Sequence, residues 1–218
     1  MKTFVSWSGG KESNFALYQA AKEGFRISHL LNMVTEEGER SRSHGLSSKL
    51  IRLQSEALNI PLLQQRCGWT TYEREFKKAV LKLKKKGIEA GVFGDIDFQE
   101  HRDWVERVCR EVGIKAELPL WGKNRKELLE EFILAGFEAI IVAVKAEVLG
   151  KDWLGKKIDK NLVRELEKKK IDLCGESGEY HTFVINGPIF KRRIKILKSN
   201  KVFKDGRWFL DILNYELD

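Results

Sequence analysis

Cysteine is scarce and scattered in this chain of 218 residues: Cys67, Cys109 and Cys174 are odd in number, form no Cys-x-x-Cys pair and have no Cys/His ligand spacing. That excludes a disulfide framework and a zinc knuckle as the basis of the fold, and it suits a reducing cytoplasm. No apolar run approaches the ~18 residues of a membrane span, and a strand-like run follows directly after Met1-Lys2-Thr3. Neither a signal peptide nor a membrane partner is expected, and the localisation expected is cytoplasmic. No linker rich in Pro, Gly or Ser interrupts the chain, and no internal repeat or low-complexity segment is present.

What is there is enough apolar material for one large core or two small ones, 42% of residues, together with 33% charged residues. Lys and Arg number 40 against 32 Asp and Glu, a formal +8. The excess is dispersed over KLKKK at 82–86, KNRK at 123–126, KKK at 168–170 and KRRIK at 191–195. Dispersed clusters are the pattern of solvated faces, so direct nucleic-acid binding is not expected, while a polyanionic substrate such as ATP suits the balance.

Through residue ~120, short apolar runs alternate with helical patterns. Strands are expected at 3–7, 27–34, 61–65, 89–94 and 114–117, with helices at 11–23, 46–58, 72–86 and 98–112, several ending at a glycine. That alternation predicts an α/β fold with a doubly wound parallel sheet, helices on both faces. From Trp121 the rhythm changes: helices are expected at 125–135 and 161–170, a β-branched strand at 137–144, and a strand-rich tail turning at Asp205-Gly206. We read domains of 1–121 and 122–218, the second a smaller α+β domain whose tail is expected to form an antiparallel meander.

The first junction reads Ser8-Gly9-Gly10-Lys11-Glu12-Ser13. A strand, a glycine turn and a helix N-terminus form an anion site, because free amide N–H groups converge there and the helix dipole favours negative charge. Gly9 and Gly10 let the backbone approach phosphate oxygens, while Ser8, Lys11 and Ser13 add hydroxyls and a cation. Neither the Gly-x-x-x-x-Gly-Lys-Ser/Thr loop nor the G-x-G-x-x-G fingerprint is met. The plainer alternative is an ordinary glycine-rich αβ turn.

Two further segments carry chemistry. Gly94-Asp95 falls at the carboxyl end of an expected parallel strand, where ligands bind in open α/β sheets, and Glu100, His101, Arg102 and Trp104 follow on the next helix. The plainer reading is a helix cap by Asp95 and Asp97. Ser43-His44-Gly45 ends a polar loop after the second strand and could reach a nucleotide. In 172–190 two glycines place Glu176, Glu179 and His181 in a tight loop before a strand, with Tyr180, Thr182 and Phe183 as candidate pocket walls. So many titratable groups suggest acid/base work or recognition of a polar group, against an exposed turn as the plainer reading.

The hexapeptide resembles the Ser-Gly-Gly-x-Asp-Ser loop of N-type ATP pyrophosphatases, with Glu12 in place of the usual Asp. Taken with GDID and Arg102, PLW at 119–121, WLG at 153–155 and GESGEYHT at 175–182, the chain resembles the diphthine-ammonia ligase family from residue 4 to about 190. The resemblance implies an adenine nucleotide alpha hydrolase-like domain followed by a family-specific acceptor domain. It also implies ATP with Mg2+, ammonium, and a diphthine carboxyl on elongation factor 2 as acceptor, giving an amide, AMP and pyrophosphate. Ser8, Gly9, Gly10, Lys11, Glu12 and Ser13 would then hold the pyrophosphate. Met33, His44, Gly94 and Asp95 would border the rest of the ATP, and Arg102, Gly178, Tyr180 and Thr182 the acceptor. Glu176, Glu179 and His181 would be the catalytic candidates, with no resident metal ligands and a homodimer allowed.

The pattern departs from the family at Ser177 and His181, at Glu100-His101, and at Ser41-Arg42-Ser43-His44. Those departures resemble a paralogous subfamily amidating another, cobalamin-related acceptor. RNA thiolation by the same kind of domain would want a persulfide cysteine near the site, and the scattered cysteines count against it. A nucleotide-sensing module that binds without turnover has no need of the second polar loop.

Overall fold

The computed structural model describes residues 1–42 and 44–218; Ser43, named above with His44, lies outside the described residues. The chain forms two compact units, one of Met1–Ser8 with Glu12–Lys123 and one of Gly9–Lys11 with Asn124–Asp218.

In the first unit β1 (Lys2–Ser6), β2 (Arg26–Val34), β3 (Leu62–Arg66), β4 (Ala90–Val92) and β5 (Lys115–Glu117) form one sheet in the order β3-β2-β1-β4-β5. Every pairing is parallel. The connections are α1 (Lys11–Lys22), α2 (Ser48–Leu58), α3 (Tyr72–Lys84) and α4 (Gln99–Val112). The chain steps outward from β1 to β3 and then restarts on the other side of β1. Right-handed crossovers therefore place α1 and α2 on one face and α3 and α4 on the other. On the α3/α4 face, Phe76, Val80, Leu83, Val105 and Val108 pack with Phe4, Leu31 and Phe93 of the sheet side. α2 starts one residue after Ser47, whose hydroxyl accepts from the Lys49 N–H, and α4 stops at Gly113 in the left-handed region at φ 69°. The doubly wound expectation is met, with β4 shorter than the expected run.

The second unit holds α5 (Arg125–Leu134), β6 (Glu138–Lys145), a short 3-10 turn at Lys151–Trp153, α6 (Lys160–Lys168), β7 (Tyr180–Asn186), β8 (Ile194–Lys204) and β9 (Arg207–Leu217). Asn124 and Asp159 cap the two helices through their side-chain oxygens. The four strands make an antiparallel sheet in the order β7-β6-β9-β8. The tail is therefore not the expected meander. β8 and β9 form a hairpin at Asp205-Gly206, both with positive φ, but β6, far earlier in the chain, inserts between β7 and β9. The reason is burial: β6 is covered along six successive residues, which a central strand requires, whereas β8 is largely exposed after its first residue. No helix among the described residues is long and apolar enough to cross a membrane.

Candidate active site

At the exit of β1 the backbone is fixed before it reaches the glycines. The Trp7 indole donates to Gln54 Oε1 at 2.9 Å, and Asn32 Nδ2 donates to the Trp7 carbonyl at 2.8 Å and to Ser41 Oγ at 3.0 Å, all in the interior. Buried polar groups paired in this way rigidify the strand end. Ser8 Oγ donates to Ser13 Oγ at 3.2 Å, closing the turn from both sides. Gly9 takes φ 84°, a conformation that side chains with a Cβ rarely adopt.

The exit of β4 lies against the first turn of α1. A Cβ on Gly94 would stand 2.9 Å from the Glu12 carbonyl carbon and 3.0 Å from its oxygen, so glycine is required for this approach. The next residue, Asp95, is largely buried, and its carboxyl is pushed above the usual carboxylate range by desolvation; the nearby His101 pulls the other way and the Glu12 charge adds to the rise. His101 Nδ1 lies 3.3 Å from Asp95 Oδ1. Strands β1 and β4 flank the point where strand order reverses, so Glu12, Gly94 and Asp95 are brought together at the place open α/β sheets use for ligands.

The second unit surrounds Gly9–Lys11 with the 172–182 segment. The Lys11 N–H donates to Thr182 Oγ1 at 3.0 Å, its ammonium donates to the Cys174 carbonyl at 2.6 Å, and the same nitrogen stands 4.8 Å from the centre of the Tyr180 ring. The Val184 N–H donates to the Gly9 carbonyl at 3.1 Å. Lys11 is 3% exposed, so its charge is held by a carbonyl dipole and an aromatic face instead of bulk water.

The loop has its own frame. Asp172 forms an ion pair with Arg125 and accepts from the Cys174 N–H at 3.0 Å and the Glu176 N–H at 2.9 Å. The Tyr180 hydroxyl donates to the Leu173 carbonyl, and Arg207 donates to the Gly178 carbonyl at 2.7 Å. A Cβ on Gly175 would stand 2.9 Å from the Tyr180 carbonyl oxygen, and Gly175 takes φ 69°. Within this frame Glu179 Oε2 is buried with no hydrogen-bond partner among the described residues. A buried carboxylate oxygen without a donor costs free energy and is an acceptor available to a ligand.

The remaining sequence candidates are placed as follows. Tyr180 and Thr182 contact Lys11, and strand alternation turns His181 to the opposite face of β7. Glu176 is held through its backbone by Asp172. Met33 is 5% exposed in the α3/α4 core. His44 is half-buried in the turn after β2. Arg102 pairs with Glu106 at 2.6 Å and lies over the Trp121 ring. Asp172, Arg125 and the Cys174 carbonyl were not among the sequence candidates; the one local signal is the Asp172 side chain accepting from the N–H two residues on, an Asx-type turn.

Sheet, reversal point and glycine turn define an α/β protein whose first strand runs through a glycine turn into a helix N-terminus beside the point where strand order reverses. The chain belongs to the diphthamide synthase family: the diphthamide synthase N-terminal domain matches residues 1–116 and the C-terminal domain residues 124–217. The diphthine–ammonia ligase of Mus musculus is 30% identical over 241 residues, covering 97% of this chain and 89% of the mouse protein. That of Bos taurus is 31% identical over 228 residues, covering 93% and 85%. The Schizosaccharomyces pombe ligase is 30% identical over 224 residues, and there the chain spans only 37% of the relative's length. A solved structure from Methanocaldococcus jannaschii, described as a predicted subunit of tRNA methyltransferase, has a TM-score of 0.44 at 18% identity, covering 88% of this chain and 99% of that one.

Proposed function

We propose that this protein is a diphthine–ammonia ligase, forming a C–N bond between ammonia and the diphthine carboxyl of elongation factor 2 at the cost of ATP cleavage to AMP and pyrophosphate. The observation that carries the reading is the grip of the 173–182 segment on Lys11 of the glycine turn.

In the first step a diphthine carboxylate oxygen attacks the α-phosphorus, the new O–P bond forms, and pyrophosphate leaves. The amides of the Gly9–Gly10 turn, Lys11 and the Ser8 and Ser13 hydroxyls hold that leaving group, which is where negative charge grows. Mg2+ enters as part of the ATP substrate. Glu12 and Asp95 are the carboxylates near that path; burial is the main cause of the rise at Asp95, and the Glu12 charge adds a smaller part.

In the second step ammonia attacks the acyl carbon, the C–N bond forms and AMP departs with its oxygen. Ammonium must first give up a proton, and Glu179 Oε2, which accepts from no described residue, is the assigned acceptor. His181, on the opposite face of β7, is not needed for that transfer. The reaction fits a cytoplasmic protein.

The test combines the protein with ATP, Mg2+, ammonium and diphthine-bearing elongation factor 2. The expected products are AMP, pyrophosphate and an acceptor whose mass falls by the difference between a carboxyl and a carboxamide. Formation of ADP, or AMP with an unchanged acceptor, overturns the reading.

A further inference from the structure

Beside Asp95 the first unit encloses a cavity of about 360 Å3 whose lining includes Tyr72, Phe76, Phe93 and Trp104, with Asp95 and His101 at one side and no lysine or arginine. The rings form inclined walls. Trp104 stands 5.3 Å from Phe76 at 58° and 5.9 Å from Tyr72 at 50°, and Phe93 stands 6.3 Å from Phe76 at 43°. Trp104 is held in that orientation by its indole N–H, which donates to Glu73 Oε2 at 2.9 Å.

We infer that this cavity is a receptor for a compact organic cation of the quaternary ammonium type, with the aromatic faces of Tyr72, Phe76 and Trp104 receiving the methyl groups and Asp95 supplying the counter-charge. Several aromatic faces and one carboxylate are the chemistry that recognises such a cation, because it is too weakly hydrated to resist desolvation and has no N–H to place. Burial of both the carboxyl and the rings agrees. The Asp95 side chain is 24% exposed, and Phe76 and Phe93 are 1% and 2% exposed, so a cation seated there is largely withdrawn from water beside a carboxylate.

The inference deepens the ligase reading and rests on it for the identity of the natural ligand. Diphthine carries a trimethylammonium group on the carbon that bears the carboxyl to be amidated. The cavity borders Ser6 and Asp95, at the ends of β1 and β4, so a cation seated there would bring an adjacent carboxylate to the reversal point of the sheet.

The probe is tetramethylammonium chloride, with tert-butanol as a neutral molecule of similar size, followed through the methyl resonance of each in NMR titrations of the full chain. Tetramethylammonium is expected to bind and tert-butanol not. Trp104→Leu and Asp95→Asn each weaken the cation by about tenfold or more, while Trp104→Phe keeps most of the binding. Should Trp104→Leu fail to fold, the wild-type selectivity and Asp95→Asn decide the matter. Absent or equal binding of the two probes overturns the inference, and displacement of tetramethylammonium by adenosine alone assigns the cavity to a base and also overturns it. In turnover, Trp104→Leu is expected to raise the KM for the acceptor and leave that for ATP unchanged. Cation binding without any AMP formation would sink the ligase reading and leave the cavity assignment standing.

Discussion

Two glutamates, one in each unit, are surrounded in opposite ways. Glu73, on α3, accepts from the Arg107 guanidinium at 2.6 and 3.0 Å, from Lys77 at 2.6 Å and from the Trp104 indole at 2.9 Å. These donors, Arg107 first, hold its carboxyl far below the usual carboxylate range. Glu179 has a buried oxygen that accepts from no described residue, although the loop around it is fixed by Asp172, Tyr180 and Arg207. A carboxylate with every lone pair engaged serves the fold, and one left open inside a rigid frame is available for proton transfer or a ligand. Counting charged residues cannot separate the two, because the difference lies wholly in the donors that folding brings.

Substitutions at the two glutamates and in the frame around them separate these roles. The largest effect is expected at Glu179→Gln, which keeps shape but removes the base: amide formation falls by a factor of ~10² or more while ATP binding measured by titration is retained. Glu73→Gln, which keeps an oxygen to accept from the Trp104 indole, should lower amide formation far less, and equal losses at the two positions would erase the distinction. Next, Asp172→Asn removes the charge opposite Arg125 and loosens the frame that holds Glu176 and Cys174, costing ~2 kcal/mol in denaturant unfolding and lowering turnover along with it. Gly94→Ala forces a Cβ against the Glu12 backbone; a loss of ~1–3 kcal/mol and a raised KM for ATP are expected, with the KM for ammonium little altered.

The smallest effect concerns acid stability. The folded pKa of Glu73 is depressed, so its contribution is present above the unfolded carboxylate value and is lost as pH falls through that value toward the folded one. More than a third of its side chain is exposed, and solvent screens the network. Glu73→Gln should therefore lower the neutral plateau of a melting-temperature profile slightly and leave its acid end nearly as it was, which makes the acid limb shallower. A steeper acid limb in the variant would contradict the assignment of Glu73 to the fold.

Much of the first unit was legible in the chain. The apolar runs and glycine stops mark five strands and four helices because each signal is local: burial periodicity within a segment, and a left-handed residue at its end, as at Gly113. Strand order in the second unit was not legible. Residues 138–145 read as a strand, but nothing local says that they lie between β7 and β9 instead of beside the next strand in sequence. The aromatic cavity was hidden for a similar reason: Tyr72 and Phe76 read as one helix face and Trp104 as part of another, and only α3 packing beside α4 turns them toward Asp95.

The sequence by itself determined the turn. Ser8-Gly9-Gly10-Lys11 between an apolar strand and an amphipathic helix dictates converging amides and a left-handed glycine, since those follow from neighbouring residues and backbone sterics. Only the tertiary structure decided what Lys11 meets. Its partner is a backbone carbonyl, that of Cys174, 163 positions away, and every residue carries such a carbonyl. No side-chain pattern can mark one carbonyl in advance; the close packing of β7 and the 172–182 segment around Gly9–Lys11 does.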